Sequence, residues 1–426
     1  MGFSKLDVEE LSGRGPGWLT ERRGEAWGFF EKLELPREKD EPWRYTDLPR
    51  LGFELDTFSP VAPAQEGQDG PRAIDLPEGR SGLAASTAGQ APQRALDPSL
   101  EARGVILTDL ATALAEHADL LEPRLLADGR SADSIFSALH GALTWGGTFL
   151  YVPKGLTVPL PVESVQRIET PGGAAFPHTV VVVGDDAEVV FLEQFVSPDG
   201  TAALMNGALD VFAGARARVR VVTLEEHGNQ TWQFFAQRTA IGQETTLQSL
   251  VITLGGRFSR SVVETALRGE HGTVEMLGLY FADDGQHFDF RTLQDHVAPA
   301  STSDLLYKGA LKDHSRTVYS GLIRVNEGAS KTDAYQANRN LVLSDEAKAD
   351  SKPELEILNN DVRCTHGSTV GQIDDEELFY LQARGIRRPE AERLIVKGFF
   401  QDVIGRLTNA ELRRLLEEAI ERKLGT

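Results

Sequence analysis

Between Thr148 and Cys364 the chain reads as one short apolar run after another, with no convincing helix between them. The runs are rich in Val, Ile, Thr, Phe and Leu, and Gly, Asp and Asn punctuate them, the pattern of consecutive strands and tight turns. Thr179-Val180-Val181-Val182-Val183 ends at Gly184-Asp185-Asp186, and Ala217-Arg218-Val219-Arg220-Val221-Val222 and Thr246-Leu247-Gln248-Ser249-Leu250-Val251-Ile252 have the same texture. About a dozen strands without crossover helices exclude a doubly wound α/β fold and leave a sandwich, a barrel or a β-solenoid. Single barrels rarely run so long, and short strands at fairly even spacing favour the solenoid. No repeat of fixed length is visible.

Both flanks differ. Residues 1 to about 50 read as helical, with Trp18, Trp27, Phe29, Phe30 and Leu33 among charged residues and Pro36 ending the run. Glu41-Pro42-Trp43-Arg44-Tyr45-Thr46-Asp47-Leu48 follows. From about 58 to 100 the composition shifts to Pro, Ala, Gly and Ser, as a linker would. Helical character returns over 105–143 at Leu110, Ala113, Leu114, Leu120, Leu121, Ile135, Phe136 and Leu139. After Asp374 a further helical region begins, with Pro389 suited to a first turn and Thr408-Asn409-Ala410-Glu411 reading as a capping box. Leu412, Leu415, Leu416, Ala419 and Ile420 form a one-sided apolar stripe that packs on its own body or docks a partner. The predicted organisation is therefore helical at 1–145 with a linker, β at 146–370, and helical at 371–426.

Composition narrows the function. Lys and Arg total 44 against 64 Asp and Glu, a net charge of −20 that argues against nucleic-acid binding and against an anionic membrane surface. No stretch approaches the roughly 20 apolar residues of a membrane span. Met1 to Gly13 lacks an apolar leader, and Leu6 stands where a myristoylation motif needs Ser or Thr. These readings predict a cytoplasmic chain. Cys364 is the single cysteine, so this chain alone cannot supply the roughly four thiolates of an iron–sulfur site. No Gly-x-x-x-x-Gly-Lys-Ser/Thr loop is present, and Gly255-Gly256-Arg257 lacks the context of a dinucleotide fingerprint, so no intrinsic nucleotide site is expected.

The sharpest constellation is Asp361-Val362-Arg363-Cys364-Thr365-His366-Gly367-Ser368-Thr369. If it is extended, Cys364 and His366 point the same way, about 7 Å apart, as a half-site for iron would. A lone Cys is more often a small buried hydrophobe and a lone His a hydrogen-bonded core residue. A Cys364 nucleophile with His366 as base is weaker, since such partners usually meet from distant parts of a chain. His287, His296 and His314 lie near carboxylates and read best as polar ladders. Asp185-Asp186, Asp283-Asp284 and Asp374-Asp375-Glu376-Glu377 read as turn residues rather than the acid groove of a carbohydrate-active β-helix enzyme.

The stretch Gln336 to Phe400 resembles the C-terminal signature of the SufB/SufD family. It carries Gln336-Ala337-Asn338-Arg339-Asn340-Leu341, Lys352-Pro353-Glu354-Leu355-Glu356-Ile357, Asp361-Val362-Arg363-Cys364-Thr365-His366-Gly367, Leu378-Phe379-Tyr380-Leu381-Gln382-Ala383-Arg384-Gly385-Ile386 and Gly398-Phe399-Phe400. Gly255-Gly256-Arg257-Phe258-Ser259-Arg260 and Leu306-Tyr307-Lys308-Gly309 extend the likeness over about residues 145–405. The Cys-Thr-His-Gly-Ser-Thr run and Trp43-Arg44-Tyr45-Thr46 resemble the SufD side of the family. The resemblance implies a right-handed parallel β-helix core between helical N- and C-terminal regions. It implies a non-catalytic scaffold subunit that assembles with a SufB-type subunit and a SufC-type ATPase. A nascent iron–sulfur cluster, or iron, would be shared with the partner chain, with His366 matching the family's functional histidine and Cys364 the cysteine beside it. The ATPase would dock on the C-terminal helices, at Pro389, Leu394, Ile395, Phe399 and Phe400, and its ATP-driven motion would open the shared interface. A homodimeric iron carrier is the alternative where the SufB-type partner is absent.

Overall fold

A computed structural model of the chain describes residues 2–64 and 71–425. Seventeen strands run from Thr148–Val152 to Val362–Gln372 with no helix among them. From Glu188–Val196 onward, consecutive strands join alternate sheets, and neighbours within each sheet are parallel. Each coil therefore lays one strand in each of two stacked sheets, which makes the core a parallel β-solenoid. Strands such as His178–Val183 are buried on both faces and read as continuous apolar runs, whereas Trp232–Ile241 and His287–His296 alternate buried and half-buried positions over their second halves.

Coil length varies, and this hides the repeat. Glu188 faces Arg218, 30 residues on; Arg218 faces Thr246, 28 on; Thr246 faces Thr273, 27 on; and Thr302 faces Asp333, 31 on. One corner of each coil is nevertheless constant. Asp186, Arg216, Glu244, His271, Ala300 and Lys331 all have φ between 53° and 59°. Each donates its N–H to the corner of the next coil, at Ala215, Gln243, Glu270, Pro299, Ser330 and Asp361. Six residue types share one left-handed conformation, so the corner leaves no sequence signature.

Glycines inside the solenoid are fixed by volume. Gly278 lies beside Tyr307 and Gly309 beside Tyr280 in adjacent strands. A Cβ at these glycines would come within 2.2 Å and 1.8 Å of the facing rings.

Helices close both outer faces. Helices Lys5–Ser12, Gly17–Phe30 and Ile135–Leu143, with Trp43, Phe53 and Phe58, pack on Leu204, Trp232, Phe234 and Phe258 of one sheet. Helices Arg388–Ile404 and Ala410–Gly425 lay Val396, Phe400, Val403, Leu412, Leu416 and Ile420 on Val222, Leu250, Leu277 and Leu306 of the other. The stripe on the last helix thus packs on its own body. Its cap is Asn409, whose side chain accepts from the Leu412 N–H at 2.9 Å, one residue later than the expected box.

The segment expected to be a linker is partly built into the core. Gly82–Thr87 pairs in parallel with Val162–Arg167, and Ser59–Pro60 with Gly173–Ala174. Its small residues are packing residues: a Cβ on Gly82 would meet Leu107 at 2.7 Å. Part of that expected linker, residues 65–70, lies outside the described residues. With Gln93–Leu96 and the antiparallel strand Ile106–Asp109, this segment caps the first end of both sheets. Among the described residues the other end has no such cap.

Candidate functional site

The strands Lys348–Ile357 and Val362–Gln372 are last in their sheets, with a strand on one side only among the described residues. Register fixes where their side chains point. Gln336 lies inside the solenoid and donates to the Gly321 carbonyl of the opposite sheet at 3.1 Å. Ala334 and Gln336 pair with Cys364 and His366, so these two share the inward column, as the alternation of an extended strand requires. Leu355 and Ile357 occupy the inward column of the facing strand, in register with Ile323 and Val325. The end of the hydrophobic core is therefore open, and the expected donor pair sits in it.

The two donors differ. Cys364 is half-buried and packs against Ile323, Val325 and Ala334. Burial, then the Asp333 carboxylate, push its thiol up from the ordinary cysteine value. His366 is exposed. One coil below, the Gln336 Oε1 is buried without a hydrogen-bond donor, and across the opening so is the Ser351 Oγ. No group of three or more His, Cys, Asp or Glu among the described residues is arranged to hold a metal ion.

The two edges also differ. In a parallel ladder, backbone groups alternate between the two neighbours. Lys348 N–H bonds back to Ser315, so the odd residues from Ala349 to Ile357 aim outward. Pro353 is among them and has no N–H to offer, which blunts this edge. Asp333 N–H bonds to Ser301, so Ala334 faces the last strand and its partner Cys364 aims outward. The backbone groups of Val362, Cys364, His366, Ser368, Val370 and Gln372 all lie on this edge, and none is proline. The helix that follows in the chain, Asp375–Gln382, exposes Phe379 and Tyr380, at 72% and 56%. A long unblunted edge leaves a row of backbone groups open to pairing with a further strand.

Comparison with known proteins places the chain in a family. Residues 166–399 match the family described as SUF system FeS cluster assembly, SufBD core domain, and residues 9–163 match the SufBD protein N-terminal region. The chain belongs to the SufBD family of iron–sulfur cluster assembly proteins. It is 30% identical to the iron-sulfur cluster assembly protein SufD of Bacillus subtilis over 416 residues, 96% of this chain and 94% of that one. It is 26% identical over 445 residues to the SufB protein of the same organism, 100% of this chain and 94% of that one. A SufBD family protein of Mycobacterium tuberculosis is 32% identical over 416 residues, 95% of this chain and 94% of that one.

The other expected site residues of this SufBD chain scatter. Phe400 is fully buried against its own solenoid, so it is withdrawn from any docking face. Phe399 is half-buried, with the Lys308 ammonium 4.2 Å from its ring centre. Pro389 and Leu394 are exposed and Ile395 is half-buried. His287 binds the Thr46 hydroxyl on an outer face, His296 binds Ser301 and Ser303 inside, and His314 pairs with Glu346 at the surface. The acid pairs are turn and cap residues: Asp186 and Asp284 occupy left-handed corners, and Asp374 caps Asp375–Gln382. No helix among the described residues is long and apolar enough to cross a membrane.

Sequence reasoning missed two buried clusters. Thr46 Oγ1 donates to Asp289 at 2.8 Å, Asp289 also binds Arg260 and Arg291, and Arg260 lies 3.7 Å from the Trp43 ring centre. This explains why Trp43-Arg44-Tyr45-Thr46 sits where it does. The second joins His140, His178 and Asp210.

Proposed function

We propose that this chain is the SufD-type subunit of a scaffold that builds a nascent iron–sulfur cluster against a SufB-type partner. It performs no catalysis of its own, and a SufC-type ATPase supplies the energy. The observation that carries this reading is the open end: one free strand edge with Cys364 and His366 on the inward column of that same last strand.

The cluster is cargo, and the chemistry of the donors suits that role. A half-buried thiol beside a carboxylate stays protonated until a metal displaces the proton, so the isolated chain holds iron weakly. His366 offers an exposed imidazole nitrogen, and the partner's facing end supplies the remaining ligands. Closing the interface would dehydrate the donors, and opening it would release the cargo.

The C-terminal helices supply the lever. Lys308 reaches from the solenoid to the Phe399 carbonyl at 2.8 Å and the Asp402 carboxylate at 2.5 Å. Arg406 joins the helical layer to Glu275 and Asp304 at 2.9 and 2.8 Å. A pull on the exposed Pro389 and Leu394 side would pass into the strands through these ties.

The test is anaerobic co-purification with a SufB-type and a SufC-type protein, followed by iron and sulfide analysis. Wild type, His366→Ala and Cys364→Ala are compared. The expected result is an intact complex that loses most of its cluster with His366→Ala and part of it with Cys364→Ala. Full cluster content in both variants would remove the site while keeping the scaffold role. Alone, the same edge fits an antiparallel copy of itself about a twofold axis. Sizing without partners is expected to give a dimer that the SufB-type protein dissolves.

A further inference from the structure

Helix Ile135–Leu143 is fastened to the solenoid by a single file of polar groups. The Asn206 carbonyl oxygen lies 2.8 Å from His140 Nδ1. His140 Nε2 lies 3.1 Å from His178 Nδ1, and His178 Nε2 lies 2.9 Å from Asp210 Oδ2. Asn206 also donates its side-chain N–H to the Phe136 carbonyl at 2.9 Å, so the helix and the strand Leu204–Ala213 grip each other twice. All three side chains of the file are buried.

The file can be counted in protons. A carbonyl oxygen at one end and a carboxylate at the other both only accept. Three contacts need three hydrogens, and two neutral imidazoles bring two. We propose that His140, His178 and Asp210 hold one excess proton, and that this proton is what latches the N-terminal helical layer to the solenoid. With it, the file is an imidazolium–carboxylate pair in which every contact is a hydrogen bond. Without it, one contact becomes lone pair against lone pair in a buried site.

The surroundings agree. Burial first, then the neighbouring His178, hold His140 down at about 3, so His140 is the neutral ring of the file. Burial alone would raise Asp210, but His178 and then Arg238 keep it low. Arg238, beside Asp210 in register, is itself answered by Asp128 at 3.7 Å and Glu264 at 3.9 Å. Arg130 joins Glu264 at 2.7 Å and also binds Asp133, and Arg124 turns away to the Leu120 carbonyl. Helix Ile135–Leu143 and strand His178–Val183 carry no other charged side chain. The grip is complete at low pH and is lost as the excess proton leaves on raising the pH.

The test is hydrogen exchange of the amides of residues 135–143 in the full chain, corrected for intrinsic rates, from pH 6 to 9.5. Wild type is compared with Asp210→Asn, whose amide donates to His178 and completes all three bonds with neutral imidazoles. Wild type is expected to lose about tenfold in protection as pH rises, the size of one buried hydrogen bond. Asp210→Asn is expected to hold its protection throughout. Equal pH dependence in both, or lost protection at every pH in the variant, would overturn the proposal. Nitrogen-15 NMR of the wild-type histidine rings decides the matter even if the variant does not fold. One doubly protonated ring in the file at pH 7 is expected, and two neutral rings would refute it.

Discussion

Glu193 shows how far the interior departs from a purely apolar core. Its Oε1 accepts from Ser164 at 3.1 Å and Thr179 at 3.2 Å, its Oε2 has no partner, and it has no cation beside it. Burial pushes its carboxyl up to about 8. The folded state therefore holds a proton that the unfolded state releases between about pH 4.5 and 8, so stability falls as pH rises through that window. Glu193→Gln is expected to be more stable than wild type by a few kcal/mol at pH 9, at about 1.4 kcal/mol per pH unit of separation. The gap should shrink toward pH 5, as chemical denaturation at the two pH values would show. At this scale the sequence revealed Cys364 and His366, because their relation is local: two positions along one strand. It did not reveal Thr46 with Asp289 or His140 with His178, since these pairs are 243 and 38 residues apart and meet only once the helical layer is laid on the sheet.

The strands were legible as elements, but their arrangement was not. Runs rich in buried apolar residues announce themselves, whereas coils of 26 to 32 residues with six different corner residues show no period. The segment read as a linker misled for a related reason, since Gly and Ala suit a loose chain and a crowded one equally. Two substitutions separate these meanings. Ala300 stands in a left-handed corner at φ 54°, so Ala300→Gly should raise stability by about 1 kcal/mol. Gly309 lies beneath Tyr280, so Gly309→Ala should lower it by about 3 kcal/mol. Denaturation midpoints of the two variants check both signs.

The molecule as a whole is a solenoid with helices on both outer faces, a capped first end and an open last one. The family resemblance made the solenoid and its helical flanks legible, but not the capping of its ends, and which edge is free depends on register, which no residue pattern displays. Pro353 blunts one edge, and the strand Val362–Gln372 keeps the other. The scaffold reading stands on that free edge, so residue-resolved amide exchange across Val362–Gln372, with and without the SufB-type partner, tests it most directly. In the chain diluted to the monomer, the amides of Cys364, His366, Ser368 and Val370 should exchange fast while those of Arg363, Thr365 and Thr369 are protected. Docking should protect the even set as well. If the even amides still exchange freely in the assembled complex, the open end is not the joint, and the shared cluster site placed there fails with it.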